Sequence, residues 1–234
     1  MTELEWEECD NARVLVAALR LPDPPELMFL GPEDELWRIT PRQRRLTGTA
    51  VCERIEHLLP LGSRYVLDAS WTLAEGKIDI VGFRAAWAHV PAWMSSDSAF
   101  LRRPTCMNYA EQALLNLGEW PRLDRLLEAA GWALIRETSE STAAADLVAQ
   151  TQIVRCVVGN PFRTVAFDRA WATCTATTLA RQMYDSREFG AMPILADALQ
   201  DAGCESEDIL AHCRDPHAVH VRGCWVCDLV LAKG

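Results

Sequence analysis

The stretch Leu123–Ile135 reads LDRLLEAAGWALI, and its apolar residues recur at the spacing of one helical face. That face consists of Leu123, Leu126, Leu127, Ala130 and Leu134. Intervals of three and four residues are typical of an amphipathic α-helix, whereas a half-buried strand would alternate apolar and polar residues. Similar helical signals recur along the chain and strand signals are poor. The sequence therefore predicts an all-α fold, a multi-helical globular bundle of roughly nine to eleven short helices.

Proline and glycine mark the ends of the predicted helices. Thr40-Pro41 is a strong helix start, because threonine caps a helix and proline fits its first position. Gly159 followed by Pro161 predicts a helix end. The proline cluster at 22–32 predicts a loop, and residues 95–106 predict a joint. We expect an N-terminal helical region at 1–138 and a C-terminal helical module at 139–234, either separate or as one continuous domain.

The composition of the chain limits the classes of partner and the cellular location that we expect. The chain of 234 residues carries a formal net charge of −10, which disfavours binding to nucleic acid or to an anionic membrane surface. The acidic N-terminus lacks the pattern of a secretion signal, and no apolar run is long enough to span a bilayer. We therefore expect a cytoplasmic protein. Nine cysteines, an odd number in a chain of this size, predict reduced thiols.

The last third of the chain holds its most distinctive motifs. They are GNPFR at 159–163, PILADAL at 193–199, AGC at 202–204, ILAHCR at 209–214 and HVRGCW at 220–225. This block resembles a domain that recurs in many paralogous proteins of planctomycete bacteria, and the start of the chain is similar to that family as well. The resemblance covers roughly half of the chain. It implies a helical fold and a lineage, without a mechanism.

The cysteines and histidines of this block suggest a zinc site. Zinc in structural sites takes four thiolate or imidazole ligands, and Cys224-x-x-Cys227 has a suitable spacing. Cys227 stands where the family pattern more often has an apolar residue, so it is not included among the ligands. The candidate ligands are Cys204, His212, Cys213, His220 and Cys224, with His217 as an alternative to His220. The interpretation that the sequence favours is that these cysteines are small buried packing residues and that the protein has no cofactor, with zinc as the alternative.

The sequence is compatible with two other kinds of functional site. Cys213 or Cys224 could pair with His212 or His220 as a thiolate–imidazole nucleophile. An Arg–Asp group could bind a ligand, although the partners of the arginines cannot be identified from sequence.

The GNPFR segment predicts a chain reversal in which the phenylalanine fills the core. The residues assigned to an interaction or structural motif are Asn160, Pro161, Phe162, Arg163, Arg222 and Trp225.

The function that the sequence favours is a non-enzymatic helical module that binds a protein partner. No phosphate-binding loop, dinucleotide-binding glycine pattern or serine nucleophile motif is present, and no catalytic residue is assigned. The alternative is a zinc-binding sensor or enzyme that uses the Cys/His-rich C-terminal module.

Overall fold

The computed structural model describes residues 1–20, 38–60, 62–88, 105–118, 121–137 and 140–233. Within these ranges the chain forms twelve α-helices and no β-strand, so the all-α prediction is confirmed. The helices are α1 (Glu3–Glu8), α2 (Ala12–Leu19), α3 (Pro41–Arg54), α4 (Ser63–Ala74), α5 (Ile80–Trp87), α6 (Thr105–Leu117), α7 (Leu123–Glu137), α8 (Glu140–Val158), α9 (Cys174–Ser186), α10 (Met192–Asp201), α11 (Glu207–Arg214) and α12 (Trp225–Leu231). The predicted loop at 22–32 and most of the predicted joint at 95–106 lie outside the described residues.

Side chains at the helix starts satisfy backbone amides that have no helical partner. Thr40 accepts from the amide of Gln43, and the Gln43 side chain accepts from the amide of Thr40, which makes a capping box with Pro41 at the first helical position. Asp79 caps α5 in the same way, through the amide of Gly82. The Thr40-Pro41 start predicted from sequence is confirmed.

Packing divides the chain into two compact units. One comprises Met1 and Glu3–Thr151, and the other comprises Thr2 and Gln152–Gly234. The division falls inside α8. The predicted division into regions 1–138 and 139–234, either separate or as one continuous domain, stays a prediction.

The core of the first unit forms where α6 and α7 pack along each other and α3 packs against both. The apolar face predicted for α7 is buried here, from Leu123 through Leu134. Gly48 of α3 permits the close approach, because a Cβ atom at this position would lie 3.0 Å from Leu117 and 3.1 Å from Leu126. Two buried polar groups in this core have internal partners: Arg45 donates to the carbonyl of Gly118, and Thr49 hydrogen-bonds Ser70.

The second unit has its own core, built between α9, α10, α11 and α12. The PILADAL segment forms most of α10 and buries Leu195, Ala196 and Leu199 on one face. Gly203 follows α10 with a φ of 90°, which reverses the chain toward α11. The core is rich in sulfur, since it contains five buried cysteines and two buried methionines.

None of the described helices is both long enough and apolar enough to cross a membrane.

Candidate metal centre

Four side chains from four segments of the second unit converge in this core. Cys156 lies in the last turn of α8, and His212 lies in α11. His220 belongs to the loop between α11 and α12, and Cys224 is the residue that begins α12 at its N-cap. Each offers one ligand atom, and the four atoms lie within 4.8 Å of one another. In the described part of the chain this is the one group of His, Cys, Asp or Glu with metal-ligand geometry.

Two of the six ligand–ligand distances within the group are close to those around a tetrahedral zinc ion, and none exceeds 4.8 Å. With Zn–S near 2.3 Å and Zn–N near 2.05 Å, a sulfur and a nitrogen on one zinc lie about 3.5 Å apart, and two sulfurs about 3.8 Å. The His212 Nε2 atom is 3.3 Å from the Cys224 sulfur, and His220 Nδ1 is 3.9 Å from the Cys156 sulfur. Shifts of a few tenths of an ångström would therefore bring both pairs to the tetrahedral spacing.

Aromatic packing fixes the two imidazole rings. The His212 and His220 rings meet edge to face, with centroids 4.9 Å apart, and the centroid of the Trp225 ring lies 5.2 Å from that of His212. Trp225 rests in turn on Gly159, where a Cβ atom would lie 3.3 Å from the indole ring. The end of α8 therefore sets the position of Trp225, and Trp225 contributes to the position of His212.

Burial and hydrogen bonding together shift the pKa values of the Cys156 and Cys224 thiols in opposite directions. Burial raises the pKa of Cys156 well above its ordinary value, and its hydrogen bond to Cys224 raises this pKa further. Burial acts in the same direction on Cys224. There, hydrogen bonds from Cys156 and Cys227, together with the charge and hydrogen bond of His212, outweigh burial and hold the pKa well below its ordinary value. Cys224 is thus the thiol best prepared to be a thiolate, the form that binds metal.

His220 has an unmet bonding requirement. Its Nε2 atom is buried and has no hydrogen-bond partner, and the contact of its Nδ1 atom with the Cys156 sulfur is long at 3.9 Å. A buried polar atom without a partner is costly, and a metal-ligating histidine ordinarily uses one nitrogen for the metal and the other for a hydrogen bond. A cation bound between the four residues would give the Nδ1 atom a strong partner, while the Nε2 atom would still require a hydrogen-bond acceptor or donor of its own.

The structure changes the ligand set expected from the sequence. His212, His220 and Cys224 come together as predicted, whereas Cys204 and Cys213 lie in the core outside the four-residue group. Cys213 follows His212 directly on α11, and adjacent helical residues point in different directions, so only one of them can face the site. Burial raises the pKa of the Cys213 thiol above its ordinary value, as expected of a packing residue.

Cys156 is the ligand that the sequence analysis missed. It lies three residues before Gly159, and Gly159 ends α8 with a φ of 72°. The signal available in the sequence was its position at the end of a helix that runs directly into the GNPFR segment. Because Cys156 and His212 are 56 positions apart in the sequence, their proximity depends on tertiary packing.

The motif residues around the site have structural partners. The Asn160 side chain accepts from the amide of Phe162, which forms the reversal that Pro161 also favours. Phe162 is 38% exposed, so the prediction that it fills the core was wrong. Arg163 pairs with Asp208, and Arg222 donates to the carbonyls of the last turn of α9. These contacts hold segments of the second unit together.

The His212–Cys224 pair resembles a thiolate–imidazole nucleophile in distance, but its sulfur has no exposed surface. A nucleophile must contact its substrate, so the described conformation offers no access to this thiol.

Comparison of the chain with protein-family models, with curated proteins and with solved structures finds no match. The resemblance to the planctomycete family stays a prediction, and the function has to be argued from the site.

Proposed function

We propose that residues 152–234 form a zinc-stabilised helical module in which Cys156, His212, His220 and Cys224 hold one Zn²⁺ ion. The observation that carries this proposal is the convergence of the four ligand atoms within 4.8 Å. Two thiolates and two imidazoles are a common ligand set of structural zinc sites. Softer and harder metals favour other sets, all sulfur or mostly oxygen respectively.

The number of ligands indicates a structural role for the metal. Catalytic zinc sites have three protein ligands and keep the fourth position for water or substrate, whereas structural sites are closed by four. Here all four positions would be filled by the protein, and both thiols are buried, with 1% and 0% of their surface exposed. The site therefore supports a non-enzymatic module over the enzyme alternative.

The metal would connect segments that are far apart in the chain. One ligand comes from the end of α8, one from α11, one from the following loop and one from the start of α12. A unit of this size has a limited hydrophobic core, and small domains often rely on metals for part of their stability. Binding to the folded state alone contributes about 4 kcal/mol when the free metal is at 1,000 times its Kd.

The leading prediction from sequence is that this module binds a protein partner, and it stays a prediction. Ile194 and Phe162 are large apolar residues exposed on the second unit, at 58% and 38%. Single exposed apolar residues are normal on soluble proteins, and an interaction surface requires a contiguous patch. We retain a protein as the partner class, with the zinc-stabilised module as its scaffold.

The metal content of the purified protein tests the zinc proposal. We expect one zinc per chain, measured by inductively coupled plasma mass spectrometry after purification without added metal. Cys156→Ser should reduce that content to a small fraction, because one of four ligands is lost. Cys204→Ser is the matched control, since Cys204 is equally buried but lies outside the group.

The proposal predicts a cobalt spectrum as well. Cobalt(II) in place of zinc should give the intense visible bands of a tetrahedral site in the wild type and in Cys204→Ser, with weaker bands in Cys156→Ser. Absence of zinc from the wild type, or equal zinc in Cys156→Ser and the wild type, would contradict the proposal.

A further inference from the structure

Behind the zinc ligand Cys224 lies a second group of sulfur atoms that the proposed zinc site does not use. The Cys227 sulfur is 3.8 Å from the Met192 sulfur, and Cys227 also forms a hydrogen bond with Cys224. The three residues are fully or almost fully buried, with exposures of 0%, 1% and 0% for Cys227, Met192 and Cys224. The thiol hydrogen of Cys227 therefore has two sulfur acceptors, and all three residues are shielded from solvent.

Helix geometry explains why these sulfurs meet. Cys224 is the N-cap residue of α12 and Cys227 lies three positions later, so both fall on the same face of the helix. Met192 is the first residue of α10, which packs into the same core. The long, unbranched methionine side chain carries its sulfur to the α12 face.

A group of two thiols and one thioether, in which the Cys227 sulfur interacts with the other two, suits a soft metal ion. If each sulfur lies about 2.3 Å from a metal in a trigonal arrangement, neighbouring sulfurs are about 4.0 Å apart. The Cys227–Met192 distance of 3.8 Å is close to that value. Thiolate and thioether ligands select soft ions such as Cu(I), whereas a thioether is a poor ligand for Mg²⁺ or Ca²⁺.

We propose that Cys224, Cys227 and Met192 form a binding site for Cu(I). Binding of Cu(I) to the two thiolates releases to solvent the proton of Cys227, and that of Cys224 where it is protonated, and it requires no oxidant or reductant. Cys224 belongs to both sites, so zinc and Cu(I) compete for the module. The proposed copper site contains neither His212 nor His220, so the Cu(I) proposal does not depend on the zinc proposal.

Cu(I) titration of the full-length protein tests this inference. Reduced, metal-free protein is titrated anaerobically with Cu(I), supplied as its acetonitrile complex, in competition with a chromogenic Cu(I) chelator. We expect one Cu(I) per chain and a sulfur-to-copper charge-transfer absorption in the ultraviolet. Cys227→Ser and Met192→Leu should each weaken Cu(I) binding by about tenfold or more, because each removes one of three ligands.

Two further variants separate this site from the zinc site. Met192→Leu nearly conserves volume and should keep its zinc content, while His220→Asn should lose zinc and keep its Cu(I) affinity. Cys204→Ser, which alters a buried thiol outside both sites, should change neither. Failure of the wild type to retain Cu(I) against the chelator would overturn the inference. Equal Cu(I) affinity in the wild type, Cys227→Ser and Met192→Leu would overturn it as well, and would leave these sulfurs as core packing residues.

Discussion

Replacing Gly159 by alanine is the most direct test of how the end of α8 supports the metal centre. Gly159 adopts a φ of 72°, in the left-handed region, and its amide donates to the carbonyl of Arg155 at the helix end. An alanine Cβ at this position would lie 3.3 to 3.5 Å from three atoms of the Trp225 ring. The substitution therefore combines backbone strain with steric pressure on the ring that packs against His212.

The chain offers a matched control in Gly203. Gly203 also has a left-handed backbone, with a φ of 90°, but a Cβ atom there would meet nothing within 4 Å. An L residue in this region costs about 1–2 kcal/mol. The reduced entropy of the unfolded alanine chain offsets about 0.4–1 kcal/mol of that cost. We therefore expect Gly203→Ala to lower the free energy of unfolding by about 1 kcal/mol.

Gly159→Ala should cost more, because the added methyl group overpacks the site. Overpacking in a well-filled core costs about 1–3 kcal/mol, and a single short contact, here the 3.3 Å approach to the Trp225 ring, belongs in the lower half of that range. The total is about 2.5 kcal/mol. In a chain of 150–250 residues each kcal/mol shifts the melting temperature by about 2–4 °C, which gives a decrease of about 5–10 °C for Gly159→Ala and about 2–4 °C for Gly203→Ala.

Differential scanning calorimetry and zinc competition with a chromogenic chelator measure the two effects. Zinc affinity should fall by about tenfold or more in Gly159→Ala, the size of effect seen when a group that orients a ligand is disturbed. It should stay at the wild-type value in Gly203→Ala. Equal melting temperatures and equal zinc affinities for the two variants would refute the argument, because they would show that the Trp225 contact contributes nothing.

Three further substitutions test other parts of the structure by chemical denaturation. Thr40→Ala removes the capping box of α3 and should lower the free energy of unfolding by about 1 kcal/mol, while Thr40→Ser should restore most of it. Gly48→Ala should destabilise the protein by about 1–2 kcal/mol although alanine favours helices, because its Cβ would overpack three leucines; a gain in stability would contradict this packing. Arg163→Ala should change the free energy of unfolding by less than about 0.5 kcal/mol, because its ion pair with Asp208 is exposed at both ends; a loss above about 2 kcal/mol would show that the pair has a larger role.

The helices were predictable because their signals are local. The apolar face of Leu123–Leu134 is buried as its spacing indicates, and the Thr40-Pro41 start appears with its hydrogen bonds. Phe162 shows where local reasoning fails. A phenylalanine after Asn160-Pro161 looks like a core residue, but the turn made by the Asn160 side chain leaves it partly in solvent. The direction of a side chain after a turn depends on backbone geometry that the sequence does not specify.

The candidate site was predictable only in part, for a related reason. His212, His220 and Cys224 lie within thirteen residues of one another, so a compact C-terminal block brings them together at small entropic cost. The choice between His212 and Cys213 depends on the rotation of α11 about its axis, which is set by packing against α10 and α12. Cys156 lies far away in the chain, and its role follows from the packing of the end of α8 into the second unit.

Cys224 belongs to both proposed sites, and this determines which variants are informative. Cys224→Ser should remove zinc and Cu(I) together, so its loss of stability cannot be assigned to either metal. Cys156 and Cys227 contact Cys224 from the two sites, and each belongs to one ligand set only. If the sites compete, zinc should protect Cys224 but leave Cys227 free to react with a thiol reagent on local opening, whereas Cu(I) should protect both. The order in which the two thiols become protected therefore identifies the bound metal without reference to total stability.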